Sequence, residues 1–211
     1  MKNKRLAILG ASGHGKVVAD AALKCGWDEI IFFDDAWPEL SAVGVWQVVG
    51  NTQQLVEQAV CFEGAIVAIG DNLIRIEKQH ELEQFGIQFV TIIHPSAVVS
   101  SYSEIGKGSV VFAGAVINAF ATIGCGCIIN TGSTIDHDCL LADGVHVSPG
   151  AHLGGNVQVG KAAWIGIGAS VKHSITIGGN VVVGAGAAVV NDIESGLTVA
   201  GVPARAMIKK L

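Results

Sequence analysis

A repeat of six residues runs through the second half of this 211-residue chain and limits what the chain can fold into. Starting at Ile93, an aliphatic residue occupies every sixth position through 17 consecutive hexads. These residues are Ile93, Val99, Ile105, Val111, Ile117, Ile123, Ile129, Ile135, Leu141, Val147, Leu153, Val159, Ile165, Val171, Ile177, Val183 and Val189. The fifth place of each hexad is small or β-branched, from Ala97 to Ile193. Chance placement would rarely keep even a few hexads in step, so the repeat is structural.

A period of six fits neither an amphipathic helix nor a coiled coil. It is typical of a hexapeptide β-helix, in which each short strand and its turn take six residues. Three hexads would close one coil, so the repeat predicts almost six coils, stacked into a prism on the order of 25–30 Å long. The place-one aliphatics are predicted to fill its axis. A β-sandwich would instead need turn signals every 8–12 residues, and these are absent.

Glycine recurs at two places of the hexad. We expect turns at both places, because glycine tolerates backbone angles that other residues avoid. Place two has Gly106, Gly124, Gly154, Gly160, Gly166, Gly178 and Gly184, and place four has Gly108, Gly114, Gly126, Gly132, Gly144, Gly150, Gly168 and Gly186.

The first 92 residues lack the repeat and predict a Rossmann-like α/β domain, so we divide the chain into residues 1–92 and 93–211. Leu6–Leu9 is a short apolar run typical of a buried strand. It leads into Gly10–Gly15 and a helical pattern from Lys16 to Lys24. A second strand, Ile30–Phe33, ends in the acidic pair Asp34-Asp35, where nucleotide-binding folds place an acid that recognises a ribose.

The rest of this region continues the alternation of strand and helix. An apolar run, Ala65–Ile69, is followed by Gly70-Asp71-Asn72 and a polar helix predicted over Leu73–Phe85. A strand is predicted over Gln88–Ile92, and His94-Pro95 marks the boundary with the prism.

The glycine turn suggests an anion site more than a dinucleotide site. Its glycines at 10, 13 and 15 do not match G-x-G-x-x-G, so NAD is poorly supported. Backbone N–H groups at a helix N-terminus would still suit the diphosphate of a nucleotide. The alternative is a tight turn that binds nothing. Asp34 and Asp35 are candidate acceptors for sugar hydroxyls or a base edge, or else solvated loop charges.

Charge and hydropathy argue against two classes of partner. The net charge is −5 with no basic block, which disfavours nucleic acid. Mean hydropathy is +0.52, but the longest apolar or glycine run, Val181–Val190, is too short to cross a bilayer. The basic start, Met1–Arg5, leads into a strand pattern and not into a cleavable signal, so we expect a cytoplasmic protein.

The five cysteines predict core thiols and not a zinc site. Cys127 and Cys139 fall at the inward place five and are predicted to be core thiols. Cys125-x-Cys127 is a poor zinc signal, because one member faces the core and no second pair exists. Beyond the repeat, Val199–Arg205 is predicted to be an extended closing segment and Ala206–Leu211 a short terminal cap.

Ionisable side chains concentrate between Asn130 and His152. His137 is at place three and Asp138 at place four of one hexad, both outward corner places. A histidine oriented by a carboxylate is a general-base pair, and its ordinary pKa of about 6.5 suits proton transfer near neutral pH. The alternative is a surface histidine beside an aspartate. His146 and His152 share place six of successive hexads, hence different faces, so we predict no metal site.

Four segments together resemble the PglD/NeuD-like sugar acetyltransferases: Gly10–Gly15, Asp136–Cys139, His146–His152 and Gly201–Arg205. The resemblance covers essentially the whole chain. It implies a left-handed parallel β-helix behind a Rossmann-like head, in a homotrimer with active sites between neighbouring prisms. It also implies acetyl transfer from acetyl-CoA, without a metal, to an amino group of a nucleotide-linked deoxysugar.

The resemblance assigns roles to individual residues. His137 would be the base that deprotonates the amine, and Asp138 would raise its basicity, although bacillosamine members of the family carry Glu there. His146 would lie at the thioester of acetyl-CoA, with Ile167 and Ala185 along the pantetheine groove and Asn130 as a further contact. The residues implied for the nucleotide-sugar are Ser12, Gly13, His14, Gly15, Asp34, Asp35, Gly70 and Asn118.

The substrate implied is a UDP-4-amino-4,6-dideoxy-N-acetylhexosamine, acetylated on its 4-amino group to make a bacillosamine-type sugar for surface glycans. N-acetylation of GDP-perosamine and O-acetylation of a sialic acid are the nearest alternatives. From other classes, a non-catalytic nucleotide-sugar-binding scaffold and a metal-dependent hydratase also remain open.

Overall fold

The structure is a computed structural model that describes residues 3–207. Its N-terminal head is a three-stranded parallel sheet, in the order β2-β1-β5, with helices packed against it. The strands are β1 Arg5–Leu9, β2 Glu29–Phe33 and β5 Gly64–Val67, with a small hairpin of β3 Ala42–Val43 and β4 Trp46–Gln47. The helices are α1 Gly13–Lys24, α2 Thr52–Glu57, a 3-10 turn Ala59–Cys61 and α3 Asn72–Glu83.

Behind the head, the hexads form a triangular prism of two-residue strands. One strand falls on each of the 17 hexads, numbered β6 to β22: Ile92–Ile93, Val98–Val99, Glu104–Ile105, Val110–Val111, Val116–Ile117, Thr122–Ile123, Ile128–Ile129, Thr134–Ile135, Leu140–Leu141, His146–Val147, His152–Leu153, Gln158–Val159, Trp164–Ile165, Ser170–Val171, Thr176–Ile177, Val182–Val183 and Ala188–Val189. Each pairs in parallel with the strand 18 residues away, as Ile117 does with Ile135. The predicted parallel β-helix is confirmed.

Three flat sheets make the sides of the prism. Face 1 contains β6, β9, β12, β15, β18 and β21; face 2 contains β7, β10, β13, β16, β19 and β22; face 3 contains β8, β11, β14, β17 and β20. The chain turns corner 1/2, then corner 2/3, then corner 3/1 in every coil. Corner 2/3 therefore lies on the side of the prism opposite face 1. Side chains on corner 2/3 and on face 1 of the same chain cannot contact each other.

Place-one and place-five side chains fill the axis, as predicted, through most of the prism. Ile117 and Ile135 are at most 1% exposed, and the Cys127 and Cys139 thiols are buried with them. The prediction is wrong for Ile93, which is 39% exposed because no coil lies beneath the first one. Its neighbour Ile92 is buried in the core of the head instead.

The two glycine columns have different causes. Place-four glycines have left-handed backbone with φ of 61–72°, as predicted. Place-two glycines do not, so the expectation of permissive angles is wrong there. A Cβ at Gly106 would lie 2.6 Å from the backbone N of Cys125, and one at Gly154 would lie 2.8 Å from that of His173. Place two is therefore small because the next coil passes against it.

The largest departures from the predicted elements of the head are at α1 and after α3. α1 begins at Gly13 and not at Lys16, because the last glycines of the turn form its first helical residues. The predicted strand Gln88–Ile92 is wrong: Phe89 makes only an isolated bridge to Ala65, and Ile92 already belongs to β6. The predicted boundary between residues 92 and 93 thus falls inside β6.

Helix α3 joins the head to corner 3/1. Its polar side chains bond backbone carbonyls of successive coils: Gln79 to Lys107, Arg75 to Gly126 and Gly144, and Asn72 to Ala162. A helical turn rises about 5.4 Å and coils stack about 4.8 Å apart, so residues three or four apart on α3 meet consecutive coils. Side chains at two glycines of this corner would hinder the approach: a Cβ at Gly108 would collide with Oε1 of Gln79, and one at Gly144 would lie 3.0 Å from Cδ1 of Ile76.

The prism closes with two more strands on face 1. β23, Thr198–Ala200, runs parallel to β21, and β24, Arg205–Ala206, returns antiparallel to β23. The predicted closing segment Val199–Arg205 is therefore extended only at its ends. The predicted cap Ala206–Leu211 lies largely outside the described residues, which end at 207. Over residues 3–207, none of the helices has the length and apolar character needed to span a membrane.

Candidate active site

The turn after β13 presents His137 and Asp138 together on corner 2/3. Nδ1 of His137 lies 2.7 Å from Oδ2 of Asp138. An ionised carboxylate can only accept a hydrogen bond, so Nδ1 carries the proton and Nε2 is left with its lone pair. Both side chains are more than half exposed. The pair can therefore accept a proton from a group that approaches from outside the chain.

Two carboxylates set the basicity of this imidazole. The hydrogen bond to Asp138 raises the pKa of His137 above its ordinary value, and the charge of Asp136 adds to the effect. Asp136 itself accepts from the backbone N–H of His137 and from Nδ2 of Asn118, each at 2.8 Å. These hydrogen bonds, led by that from Asn118, lower the pKa of Asp136. Asn118, which lies one coil before His137 in the prism, is thus hydrogen-bonded to the His137 cluster through Asp136.

Gly155 was not singled out from the sequence, yet it lines the free nitrogen of His137. It occupies place three of the next coil on corner 2/3, 18 residues after His137. A Cβ on Gly155 would lie 2.5 Å from Nε2 of His137. Glycine at this position keeps open the space that a substrate proton would need. The sequence could have indicated Gly155, because it follows His137 by 18 residues, which is one coil.

A second cluster forms on face 1 around His146. Its ring stacks on Trp164, with centroids 5.5 Å apart and an interplanar angle of 8°. Nδ2 of Asn130 lies 3.3 Å from Nε2 of His146, while Oδ1 of Asn130 accepts from the N–H of Thr131. Because an amide nitrogen only donates, Nε2 of His146 is the acceptor and Nδ1 carries the proton. That Nδ1 is buried and has no hydrogen-bond partner within the described part of the chain.

His14 of the head lies near enough to His146 for its charge to act on that imidazole. Its ring meets Phe112 of the prism edge-on, with centroids 5.8 Å apart. Burial, followed by the charge of Arg75, lowers the pKa of His14 to about 4. Burial, then Arg75 and His14, lowers the pKa of His146 to about 3. Both imidazoles are therefore neutral near pH 7, which suits hydrogen bonding to a neutral or anionic ligand.

A cavity of about 480 Å³ opens where the head meets face 1. The segment from Gly70 to Leu73, which leads into α3, forms one wall, and His146, Trp164 and Asn180 form the other. Trp164 is held in place by a hydrogen bond of 2.7 Å from its Nε1 to Oγ of Ser148. Trp164 was missed from the sequence; its position 18 residues after His146 is the signal that could have found it.

The acidic pair after β2 is committed to the head's own backbone. Asp34 accepts from the N–H of Ala11 at 2.7 Å and of Ala36 at 3.0 Å. Asp35 accepts from the N–H of Thr52 at 2.8 Å and lies 3.7 Å from Nζ of Lys78. Their predicted contacts with a sugar or base would have to use the remaining acceptor capacity of these carboxylates.

The glycine turn divides into packed and open positions. Gly15 has no room for a Cβ, which would collide with the carbonyl of Gly10. Among residues 3–207, nothing lies within 4 Å of a Cβ added at Gly13 or Gly70. Ser12 is the exposed N-cap of α1, and its side chain makes no capping hydrogen bond. The open positions lie at the carboxyl ends of the neighbouring strands β1 and β5, where α/β sheets bind ligands.

The two residues predicted to line the coenzyme groove lie on corner 1/2, away from both histidine clusters. Ile167 and Ala185 are exposed on corner 1/2, one coil apart, and Ile167 is 61% exposed. The structure thus brings Asn130 and His146 together on face 1, with His14 of the head nearby. It places His137, Asp138 and Asn118 on the opposite side of the same prism.

Metal ligands are not gathered anywhere in the described part of the chain. Between residues 3 and 207, no group of three or more His, Cys, Asp or Glu side chains is placed to hold a metal ion.

The fold and both clusters define the class: a left-handed parallel β-helix with an α/β head and a histidine–carboxylate pair on one corner. A family described as the PglD N-terminal domain matches residues 5–82. The acetyltransferase domain of PglB from Neisseria gonorrhoeae, solved in complex with acetyl coenzyme A, is 43% identical with a TM-score of 0.93. That likeness covers 98% of this chain and all of the other.

Two further relatives agree with this match. PerB from Caulobacter crescentus, solved in complex with CoA and GDP-perosamine, is 39% identical over 96% of each chain, with a TM-score of 0.91. UDP-N-acetylbacillosamine N-acetyltransferase from Bacillus subtilis is 38% identical over 116 residues. That match spans about half of this curated relative, and about half of this chain. The chain belongs to the PglD-like family of left-handed β-helix acyltransferases, as its sequence motifs predict.

Proposed function

We propose that the protein is an acetyltransferase that moves the acetyl group of acetyl-CoA to the 4-amino group of a UDP-linked 4-amino-4,6-dideoxy-N-acetylhexosamine. The observation that carries the proposal is the His137–Asp138 pair, whose Nδ1–H is held by the carboxylate while Nε2 stays open. The acetyl coenzyme A bound to the similar PglB domain supports the donor. The Bacillus subtilis relative supports the acceptor.

The chemistry needs one base and no redox step. Nε2 of His137 takes a proton from the amino group as its nitrogen attacks the thioester carbonyl carbon. The C–N bond forms, the tetrahedral intermediate collapses, and the C–S bond breaks. The CoA thiolate then leaves with the proton from His137, so the base is regenerated. A general base of this kind contributes about 10²–10⁴-fold to the rate.

The head supplies a binding site for the nucleotide diphosphate. α1 begins at Gly13, and its first N–H groups have no partner within a helix. These groups and the helix dipole favour an anion at this end. Gly13 and Gly70 leave room for such a group to approach the backbone. The neutral His14, next to Gly13 in the sequence, can donate or accept a hydrogen bond without repelling the ligand.

The separation of the two clusters supports a homotrimer with shared sites. His137 and His146 lie in consecutive hexads and hence at similar heights, but on opposite sides of one prism. In a trimer with face 2 turned inward, corner 2/3 of one copy meets corner 1/2 and face 1 of the next. Val98 on face 2 and the Tyr102–Phe120 ring pair on corner 2/3 are 62–69% exposed, which favours burial against another copy. The cytoplasmic location expected from the sequence belongs to the same proposal.

A second candidate acceptor is GDP-perosamine. It is favoured by the likeness to PerB over 96% of each chain, since that protein was solved with this sugar nucleotide. The hydrogen bonds of Asp34 and Asp35 to the backbone of the head favour neither uracil nor guanine.

Release of free thiol from acetyl-CoA tests the proposal. The purified protein is incubated with acetyl-CoA and, separately, with the UDP-linked 4-amino sugar, GDP-perosamine and a sialic acid. We expect thiol release with the UDP-linked sugar at the highest kcat/KM, and one acetyl group on its 4-nitrogen by mass spectrometry. Faster turnover of GDP-perosamine would favour the second candidate. Thiol release with none of the acceptors would overturn the enzyme assignment and favour a binding scaffold.

A further inference from the structure

Arg75 is a buried cation at the junction of the head and the prism. Its side chain is 1% exposed and is the largest of the fully buried side chains in the described part of the chain. All five of its hydrogen bonds go to neutral oxygens of the chain. They run from Nε to Gly126 O at 2.7 Å, from Nη1 to Ile69 O at 2.9 Å and Gly70 O at 3.2 Å, and from Nη2 to Asn72 Oδ1 at 2.8 Å and Gly144 O at 2.9 Å.

These bonds connect the two walls of the cleft. Ile69 and Gly70 end the segment after β5, and Gly70 lines the cavity beside His146 and Trp164. Gly126 and Gly144 belong to two coils of the prism. One planar guanidinium therefore sets the position of the head segment relative to two coils, which a flexible ammonium could not do with the same number of directed bonds.

Burying a guanidinium with no carboxylate among its hydrogen-bond partners is costly, and its pKa shows the cost. Burial lowers the pKa of Arg75 to about 10, against the opposing effects of Cys127 and Asp71. A purely structural joint could be made by an amide, as Gln79 and Asn72 do on the same helix. The charge of Arg75 also reaches the two histidines, since after burial it is the second cause of the lowered pKa of both His14 and His146.

We propose that Arg75 is a positioning residue for the nucleotide-sugar: it fixes the segment Ile69–Asn72 against the prism so that the cleft between His14 and His146 keeps one geometry. The inference rests on the proposed function and deepens it. Arg75 acts through the carbonyls of Ile69 and Gly70 and is not itself assigned a contact with the ligand. The ligand class is a nucleoside diphosphate carrying a sugar.

Arg75→Lys tests this role, with Gln79→Ala as the matched control. Gln79 lies on the same helix and bonds the same corner through Lys107, but it touches neither Ile69 nor Gly70. We expect both variants to lose thermal stability. Only Arg75→Lys should weaken the binding of UDP or GDP, measured by calorimetry well below the melting temperature, and raise KM for the amino-sugar nucleotide, each by about tenfold or more. KM for acetyl-CoA is measured in parallel to separate the two ligands.

Two further outcomes keep the test decisive. If Arg75→Lys and Gln79→Ala bind the nucleotides equally, the positioning role is overturned. If the lysine variant does not fold, deuterium exchange of the wild-type segment 69–72 replaces it: slower exchange on adding UDP or GDP supports the role, and unchanged exchange overturns it. These measurements report nucleotide binding and do not depend on acetyl transfer. Absence of acetyl transfer in the wild type would therefore overturn the proposed function without deciding the role of Arg75.

Discussion

His137 and His146 are nine positions apart in the sequence and face opposite sides of the same prism. His137 is on corner 2/3 beside Asp138, and His146 is on face 1 beneath Trp164. If both act on one acetyl transfer, each site must take one histidine from each of two copies.

Mixing two inactive variants tests the shared site. His137→Ala and His146→Ala are each expected to lose activity, and equal amounts unfolded and refolded together should regain about a quarter of the wild-type rate, because one site in four then pairs two intact histidines. The measurement is thiol release after refolding, with each variant refolded alone as the control. A mixture no more active than its components would contradict a site built from two copies.

Asp138→Asn should change the pH dependence. A base must be neutral to accept a proton, so activity falls as pH decreases through the pKa of His137. The wild-type pKa is raised first by the hydrogen bond to Asp138. Losing that carboxylate should lower the pKa, shift the acid limb of kcat/KM to lower pH, and reduce the maximal rate. An acid limb that stays in place or moves to higher pH would separate Asp138 from the base.

Gly155→Ala should disable the base without unfolding the prism. The added methyl group would occupy the position 2.5 Å from Nε2 of His137 and displace the ring. We expect kcat to fall by about 10²-fold, with a melting temperature close to that of the wild type. Gly179→Ala, at place three of another corner, is the control and should keep its activity. Equal activity in the two variants would show that the free nitrogen is not used.

Two place-one residues should differ in their contribution to stability. Ile117 is 1% exposed and Ile93 is 39% exposed, although the repeat treats them alike. Ile117→Ala should reduce the free energy of unfolding by about 2–5 kcal/mol through a core cavity, and Ile93→Ala by much less. Thermal or denaturant unfolding measures both. Equal losses would mean that Ile93 is buried in solution, as contact between copies could cause.

The repeat predicted the prism well because a sustained period of six fits neither an amphipathic helix nor a coiled coil and is typical of a β-helix. It also brought His137 and Asp138 together, since adjacent corner places leave their side chains on the same side of the turn. The 18-residue offset predicts that Gly155 lies beside His137 and Trp164 beside His146. Their importance became clear only once the structure gave the positions of the two imidazole rings. The role of Arg75 could not be predicted from the sequence. The polar sequence of α3 is typical of a helix on the surface, and only the structure shows that α3 packs against corner 3/1. Asp34 and Asp35 looked available for a ligand, but loop carboxylates also serve their own backbone.

The central claim is that His137 removes a proton from a sugar amine during acetyl transfer. Its most direct test is the initial rate of thiol release from acetyl-CoA with the amino-sugar nucleotide, compared between the wild type, His137→Ala and His173→Ala. His173 lies on the same corner two coils further on and is the control. We predict a loss of about 10²–10⁴-fold for His137→Ala, with its assembly unchanged, and near-normal rates for His173→Ala. Near-wild-type acetylation by His137→Ala would contradict the assignment of the base.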